Sequence, residues 1–296
     1  MEISGAATAI TGGGSGIGRA LALEMARNGA AVVVADINEA AARATAQEID
    51  ALGGRALAVD CDISREASIA ALVTRTTEEF GRVDIFVSNA GVLLGGPLEQ
   101  VTEADWAWIM GINFQAHVFA VRHVLPAMLR RDHGHLVHVA SAAALISTGT
   151  NIPYHASKAA VLALAEGLAI DLKARGSKVG VSCVCPELVN TNLAERSFEA
   201  GQTGRDLTVE ERAAHEEAAQ AMKLRMAQRG LPTEEAARII VRGINDDRFL
   251  IYTHDRTHDI VVHRAQDPEQ GIRDAVGVLQ REQERMQRFA AQTRRS

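Results

Sequence analysis

The sequence TGGGSGIGRA, residues Thr11–Ala20, follows a short β-branched run and opens a segment whose apolar residues have helical spacing. Glycine lets the backbone turn sharply and approach a phosphate closely, and a helix N-terminus offers free N–H groups and a positive dipole. The stretch fits the pattern T-G-x-x-x-G-x-G on Thr11, Gly12, Gly16 and Gly18. At the first strand-to-helix junction, this pattern predicts a dinucleotide-binding loop.

Other interpretations of the same glycines fit less well. Gly13–Ala20 resembles a P-loop, but it lacks both the phosphate-binding Lys and the Mg²⁺-binding Ser or Thr. Phosphoryl transfer is therefore disfavoured. The strict G-x-G-x-x-G spacing also fails, and the simplest alternative is a tight turn that binds no ligand.

Outward from this loop, apolar runs alternate with longer Ala-rich segments of helical spacing. Most runs are continuously apolar, as expected for strands buried on both faces. Repeated alternation of strand and helix predicts a parallel sheet covered by helices on both sides. We therefore predict an α/β fold, a doubly wound Rossmann fold with a seven-stranded parallel sheet, in a single domain over 1–296. The predicted strands are Ala7–Thr11, Ala31–Ala35, Arg55–Val59, Asp84–Ser88, His135–Ala140, Lys178–Cys185 and Arg248–Thr253.

Two segments fit the alternation less well. Residues 193–230 are rich in charge, and Thr208-x-x-Glu211 resembles a capping box, so we predict a helical lid there. Residues 254–296 form an extension, with a polar stretch and then a docked C-terminal helix. The residues predicted to share the apolar face of that helix are Ile272, Val276, Leu279, Met286 and Phe289. The apolar residues predicted to line a substrate pocket under the lid are Leu93, Leu94, Leu145, Ile146, Leu207, Met222, Leu224 and Met226.

The composition is ordinary for a globular protein, with 47% hydrophobic and 23% charged residues. Acidic residues outnumber basic ones by 37 to 31, which argues against broad binding to nucleic acid or to anionic membranes. The N-terminus lacks the basic region of a targeting peptide, and no run reaches the ~18 apolar residues of a membrane helix. Three cysteines supply no disulfide framework. We expect a cytoplasmic protein.

The second predicted strand is followed by Asp36, 18 residues after Gly18. In this architecture an acid at that position accepts hydrogen bonds from the adenosine ribose 2′-hydroxyl. The same carboxylate would repel a 2′-phosphate, and the next residue is Ile37 rather than a neutralising Arg. The sequence therefore favours NAD over NADP.

Several short motifs follow the glycine loop in a fixed order. They are CDI with Asp62, NAG at Asn89–Gly91, GINF with Asn113, Ser141, YHASK at Tyr154–Lys158, and Pro186 with Thr191. Each motif is weak alone, because Y-x-x-x-K occurs often by chance on exposed helices. Together, over roughly Glu2–Thr253, the sequence resembles the short-chain dehydrogenase/reductase family, which implies hydride transfer between an alcohol or ketone and a nicotinamide cofactor.

The predicted catalytic residues are Asn113, Ser141, Tyr154 and Lys158. Tyr154 and Lys158 lie four apart and so share one helix face, where an ammonium would lower the pKa of the phenol towards that of a general base. Ser141 is expected to hold the substrate oxygen beside Tyr154. By resemblance, Asn113 positions a water in a proton relay, and Lys158 also binds the nicotinamide ribose.

The resemblance also implies the cofactor-binding residues and an assembly. Asp62 and Ile63 would meet the adenine, and the last three residues of the set would lie at the nicotinamide end. The assembly expected is a homodimer or homotetramer. The cofactor-binding set is Gly12, Ser15, Gly16, Ile17, Gly18, Asp36, Asp62, Ile63, Asn89, Ala90, Gly91, Tyr154, Lys158, Pro186, Val189 and Thr191.

Two positions depart from the family pattern. Ser88 replaces the first Asn of N-N-A-G, and Glu187 replaces the Gly that usually follows Pro186. Glu187 falls beside the expected nicotinamide pocket, so the family's backbone path and its substrate polarity are not carried over to this position. The extra length resembles longer members of the family, some of which oxidise benzylic alcohols, which favours a hydrophobic or aromatic substrate.

No metal site is predicted. Cys183 and Cys185 are interpreted as buried thiols, and His133, His135 and His138 as turn and surface residues. The leading hypothesis is an NAD-dependent oxidoreductase that interconverts a secondary alcohol and a ketone. The alternatives are an NADPH-dependent carbonyl reductase and a catalytically silent dinucleotide-binding sensor or scaffold on the same fold.

Overall fold

The computed structural model describes residues 1–95, 98–149, 151–201 and 208–293. Within them, seven parallel strands form one sheet in the order β3-β2-β1-β4-β5-β6-β7. This confirms the predicted doubly wound fold. The strands are β1 (Ala7–Thr11), β2 (Ala31–Asp36), β3 (Arg55–Asp60), β4 (Ile85–Ser88), β5 (His135–Val139), β6 (Gly180–Cys185) and β7 (Leu250–Tyr252).

Helices connect successive strands and cover both faces of the sheet. They are α1 (Gly16–Arg27), α2 (Glu39–Ala51), α3 (Glu66–Phe80), α4 (Glu103–Met110), α5 (Ala116–Arg131), α6 (Ile152–Ala174), α7 (Leu193–Gly201), α8 (Val209–Arg229), α9 (Thr233–Asn245), α10 (Asp255–Gln266) and α11 (Pro268–Thr293). A π-turn, Gly111–Gln115, lies between α4 and α5. Thr102 and Asp105 form a capping box at the start of α4. Among the described helices, none is long and apolar enough to cross a membrane.

Alternating residues of each strand face two separate apolar layers. Ile10 on β1 and Val34 on β2 face the layer under α1, α2 and α9, whereas Ala9 and Val33 face the layer under α3, α5 and α6. Since all four of these strand residues are fully buried, the sheet centre is covered on both faces. This explains why the strands read as continuous apolar runs.

The order of the strands fixes the position of the site. The chain leaves β1 for β2 and β3 on one side, and then returns to place β4 on the other side of β1. The connections that leave the carboxyl ends of β1 and β4 therefore run in opposite directions and leave a crevice between them. Open α/β sheets bind their ligands in such a crevice.

The interpretation of His135 and His138 as turn and surface residues was wrong, although His133 is exposed. Both histidines lie on β5, near the middle of the sheet, and each is 1% exposed. His135 Nε2 hydrogen bonds with Ser182 Oγ at 2.8 Å, and His138 Nδ1 with His117 Nδ1 at 3.0 Å. Burial lowers the pKa of each strand histidine to about 4, so both are neutral at pH 7.

The lid and the extension contain more helix than predicted. Residues 193–230 form α7 as well as the predicted α8, while Leu207 and the Glu211 side chain lie outside the described residues. The polar stretch after β7 forms α10, which packs against α11. Ile272 is 61% exposed and Val276 is 47% exposed, so the prediction that they dock on the protein was wrong for these two residues. The side chains of Met286 and Phe289 lie outside the described residues.

Candidate active site

The glycine loop after β1 is shaped by positions that exclude a side chain. Gly12 and Gly16 have φ of 65° and 52°, in the left-handed region that favours glycine. A Cβ on Gly18 would lie 2.1 Å from the carbonyl oxygen of Gly12, which is far too close. The loop can therefore turn tightly into α1 and present the N–H groups of the helix terminus to an anion.

The loop after β4 is hydrogen bonded to the glycine loop. Asn89 Nδ2 donates to the Thr11 carbonyl at 2.9 Å, and the backbone N–H of Asn89 donates to Thr11 Oγ1 at 3.0 Å. The NAG segment is thus fixed against the carboxyl end of β1. These contacts hold two of the loops that line the crevice against each other.

Asp36 is 6% exposed at the carboxyl end of β2, and it faces the crevice. Its carboxylate oxygens accept hydrogen bonds from the backbone N–H of Gly14 at 3.0 Å and of Asn38 at 2.9 Å. Each oxygen keeps a free lone pair for a further donor. Ile37 beside it is 71% exposed, so the crevice wall next to the carboxylate is apolar.

One continuous cleft runs from Asp36 past the glycine loop to Glu187, and most of the predicted site residues line it. Gly18 and Asn113 are the exceptions, since both are buried behind the lining. The predicted residues that line the cleft are Gly12, Ser15, Gly16, Ile17, Asp36, Asp62, Ile63, Asn89, Ala90, Gly91, Ser141, Tyr154, Lys158, Pro186, Val189 and Thr191. Their functional roles stay predictions.

Ser141, Tyr154 and Lys158 meet at the inner end of the cleft. The Ser141 hydroxyl is close enough to the Tyr154 phenol to lower its pKa, and Lys158 Nζ lies 5.9 Å from the centre of the Tyr154 ring. Ser141 Oγ also accepts from the backbone N–H of Ala143 at 3.1 Å and donates to the Pro186 carbonyl at 3.4 Å. These contacts fix the serine at the end of β5, facing the phenol.

Lys158 is almost fully buried. It is 3% exposed, and its Nζ donates to the Val139 carbonyl at 2.9 Å. Burial lowers its pKa from 10.5 to about 8, which the nearby Cys183 and Cys185 only partly oppose. The amine is therefore held where its charge is costly, beside the cleft.

The pKa of Tyr154 differs from the prediction. We expected Lys158 to lower it, but desolvation of the phenol raises it, and the nearby Ser141 hydroxyl only partly compensates. The reason is that the partly buried phenol loses much of its contact with water, which disfavours the charged phenolate. Tyr154 is thus a neutral phenol at pH 7.

Asn113 supports the cleft from behind. Its Oδ1 accepts from the backbone N–H of Val92 at 2.8 Å, and its Nδ2 donates to the Val92 carbonyl at 2.9 Å and to Ser157 Oγ at 3.0 Å. The side chain therefore joins the segment after NAG to α6. Asn113 lies in the π-turn, which apolar spacing alone does not reveal; such turns often occur at functional sites.

The first lid helix covers one side of the cleft. Ser197 on α7 is 4% exposed, and its Oγ accepts from the backbone N–H of Leu93 at 2.8 Å. Of the apolar lid residues predicted to line a pocket, Met226 lines the cleft, whereas Leu224 is 54% exposed. The cleft also has lining residues outside the predicted site set: Ile37, Cys61, Val92, Ile112, Val139, Ala140, Asn192, Arg196 and Ser197.

The cleft has the features that a nicotinamide dinucleotide needs. The glycine-rich loop at the N-terminus of α1 suits a diphosphate, and the Asp36 carboxylate lies at the end of β2. The Lys158 amine and the Tyr154 hydroxyl face the inner end of the cleft. Within the described ranges, no group of three or more His, Cys, Asp or Glu is arranged to hold a metal ion.

Comparison with known proteins agrees with this geometry. The model of the short chain dehydrogenase family matches residues 6–202. A dehydrogenase/reductase of CLA biosynthesis from Lactiplantibacillus plantarum is 32% identical over 258 residues, covering 86% of this chain and 90% of the relative. The (2S)-[(R)-hydroxy(phenyl)methyl]succinyl-CoA dehydrogenase subunit BbsD of Thauera aromatica is 37% identical over 202 residues, covering 68% and 80%.

A solved structure shows the same fold. A short chain dehydrogenase/reductase from Burkholderia phymatum, crystallised in complex with NAD, is 35% identical, with a TM-score of 0.82 over 91% of this chain and 96% of that chain. The chain belongs to the short-chain dehydrogenase/reductase family of oxidoreductases.

Proposed function

We propose that this protein is an NAD-dependent dehydrogenase that interconverts a secondary alcohol and a ketone. The observation that carries the proposal is the meeting of Ser141, Tyr154 and Lys158 in the cleft that begins at the glycine loop. A hydroxyl, a phenol and an amine are the groups required to orient a carbinol oxygen and move its proton. A bound nicotinamide supplies the hydride acceptor for oxidation, or the hydride donor for reduction.

The protein residues divide the work of the reaction. In oxidation, Ser141 orients the substrate hydroxyl and Tyr154 takes its proton, while the carbinol hydrogen leaves as hydride. Lys158 holds positive charge near the phenol and binds the ribose. In reduction, the carbonyl carbon of the ketone accepts the hydride, and Tyr154 gives its proton to the carbonyl oxygen. Deprotonation of Tyr154 needs cationic help, because burial alone raises its pKa.

The substrate we propose is hydrophobic or aromatic. Val92, Leu193 and Met226 line the cleft and provide apolar surface, of which Met suits irregular ligands. The name of the Thauera aromatica relative describes a carbinol that bears a phenyl group, which supports an aromatic alcohol.

A panel of secondary alcohols tests this proposal. The purified protein is incubated with NAD⁺ and each alcohol, and NADH formation is followed by absorbance, with the ketones and NADH tested in the reverse direction. We expect turnover with at least one aryl or alkyl carbinol. Tight NADH binding with no turnover of any alcohol or ketone would instead support the silent sensor.

The preference for NAD over NADP depends on Asp36. Asp36→Asn keeps an acceptor for the Gly14 N–H and removes the charge that would repel a 2′-phosphate. We expect the ratio of kcat/KM with NAD⁺ to kcat/KM with NADP⁺ to fall by about tenfold or more. Asp60→Asn, on an exposed residue at the end of β3, is the control and should leave the ratio unchanged. A wild-type preference for NADP⁺ would contradict the assignment.

We also propose that the protein assembles through α6. The outward side of this helix is a stripe of small and apolar exposed residues, with Ile170 64% exposed at its end. Small residues permit close packing of a second helix, and an exposed apolar stripe is typical of an interface. The stripe consists of Ala156, Ala159, Ala163, Gly167 and Ile170.

Ala163→Arg tests the assembly. A charged, bulky side chain in the centre of the stripe should block close packing, so we expect a wild-type dimer to become a 31.6 kDa monomer, or a wild-type tetramer to become a dimer, in the variant. Light scattering at micromolar concentration measures the mass. Ala71→Arg, on an exposed position of α3, controls for the added charge. A monomeric wild type would refute the interface.

A further inference from the structure

Glu187 lies next to the residues proposed to act on the substrate. The preceding residue, Pro186, accepts hydrogen bonds through its carbonyl from the backbone N–H of Ala142 at 2.7 Å and from Ser141 Oγ at 3.4 Å. Glu187 itself lines the inner part of the cleft, and its side chain is 25% exposed. The negatively charged Glu187 thus directly follows Pro186, whose carbonyl accepts the hydrogen bond from Ser141.

The C-terminal extension supplies the partner of this charge. Arg256 on α10 donates from Nε to Glu187 Oε2 at 2.9 Å and from Nη2 to Oε1, which makes a two-pronged ion pair. The buried Thr257 donates to Oε2 at 3.2 Å, and the Glu187 N–H donates to Thr253 Oγ1 at 3.2 Å. The backbone N–H and the carboxylate of Glu187 are therefore both fixed by hydrogen bonds. Their partners all lie beyond residues 6–202, the region that the family model matches.

The pair has no net charge, but its two charges lie at different distances from the cleft. The carboxylate lines the cleft, whereas Arg256 approaches from the outer side and is 67% exposed. A change in either charge would therefore alter the potential at the inner end of the cleft without altering Ser141, Tyr154 or Lys158. The oxidised and reduced cofactors differ there by one positive charge, on the nicotinamide ring.

We propose that the Glu187–Arg256 pair sets the relative affinity of this site for NAD⁺ and NADH. The proposal rests on the proposed function, because it needs the nicotinamide at the inner end of the cleft. With both charges present, their opposite effects on the cationic ring largely cancel, so the pair favours neither NAD⁺ nor NADH strongly. An unpaired Glu187 would favour the cationic ring of NAD⁺, and an unpaired Arg256 would disfavour it.

Two charge-removing substitutions test the proposal with opposite expected signs. Arg256→Gln should lower the ratio Kd(NAD⁺)/Kd(NADH), and Glu187→Gln should raise it, each by about threefold because the pair is partly exposed. The double variant should return towards the wild-type ratio. NADH affinity is measured by fluorescence titration, NAD⁺ affinity by competition, and no turnover is needed. Arg175→Gln, which breaks the Arg175–Asp171 pair at the end of α6, is the control.

The outcomes separate this inference from the proposed function. A purely structural role for the pair would weaken both cofactors alike or shift the ratio in the same direction in both single variants, and either result would overturn the inference. An unchanged ratio in both variants would also overturn it. Failure of the wild-type protein to bind NADH at all would instead contradict the proposed function.

Discussion

Tyr154→Phe should lower kcat by a factor of about 10²–10⁴ or more, which is the usual contribution of general acid–base catalysis. The substitution removes the phenol hydroxyl beside Ser141 and keeps the ring. Steady-state kinetics with the best alcohol of the panel measure the loss. NADH affinity, measured by fluorescence titration, should change little, because the phenol acts on the substrate proton.

The chain offers a matched control for this substitution. Tyr252 is its only other tyrosine and lies on the edge strand β7, so Tyr252→Phe should leave kcat near the wild-type value. The pH profile adds a readout that a packing defect would not produce, since the residual activity of Tyr154→Phe should lose the rise with pH that deprotonation of the phenol gives. Near-wild-type turnover in Tyr154→Phe would refute the mechanism.

The fold could be predicted from the sequence because the strands and helices carry strong local signals. The runs at β1 and β2 are apolar without interruption, and the cap at Thr102 and Asp105 has a defined spacing. Predicted ends were less accurate: β6 begins at Gly180 rather than Lys178, and β7 covers only Leu250–Tyr252. Strand ends depend on the neighbouring strand, which a local pattern does not contain.

The side chains around the site were harder to predict because tertiary contacts decide their environment. His138 looked like a surface residue, but its place in a central strand buries it against His117. Lys158 was expected to lower the pKa of Tyr154, yet Lys158 is buried, Tyr154 is partly buried, and the cost of desolvation dominates the pKa of each. Arg256, which neutralises Glu187, lies 69 residues further along the chain.

Lys158→Met should abolish most activity and at the same time stabilise the fold. The fall in the lysine pKa from 10.5 to about 8 corresponds to about 3 kcal/mol of destabilisation in the charged form. Met has a similar length and carries no charge, although it loses the bond to the Val139 carbonyl, worth about 1 kcal/mol. We expect the free energy of unfolding at pH 7 to rise by about 1–2 kcal/mol, and kcat to fall at least about 10²-fold.

The pH dependence of this stability gain identifies its cause. Between about pH 8 and pH 10.5 the unfolded chain binds more protons at Lys158 than the folded chain, so the wild type gains stability as the pH rises through that window. The advantage of Lys158→Met should therefore be largest at or below pH 8 and shrink towards pH 10.5. Denaturant unfolding at several pH values measures it. Lys173→Met, at an exposed position of the same helix, should show neither the gain nor its pH dependence. A Lys158→Met variant that is less stable than the wild type at pH 7 would show that the buried amine stabilises the fold instead of being retained at a cost for catalysis.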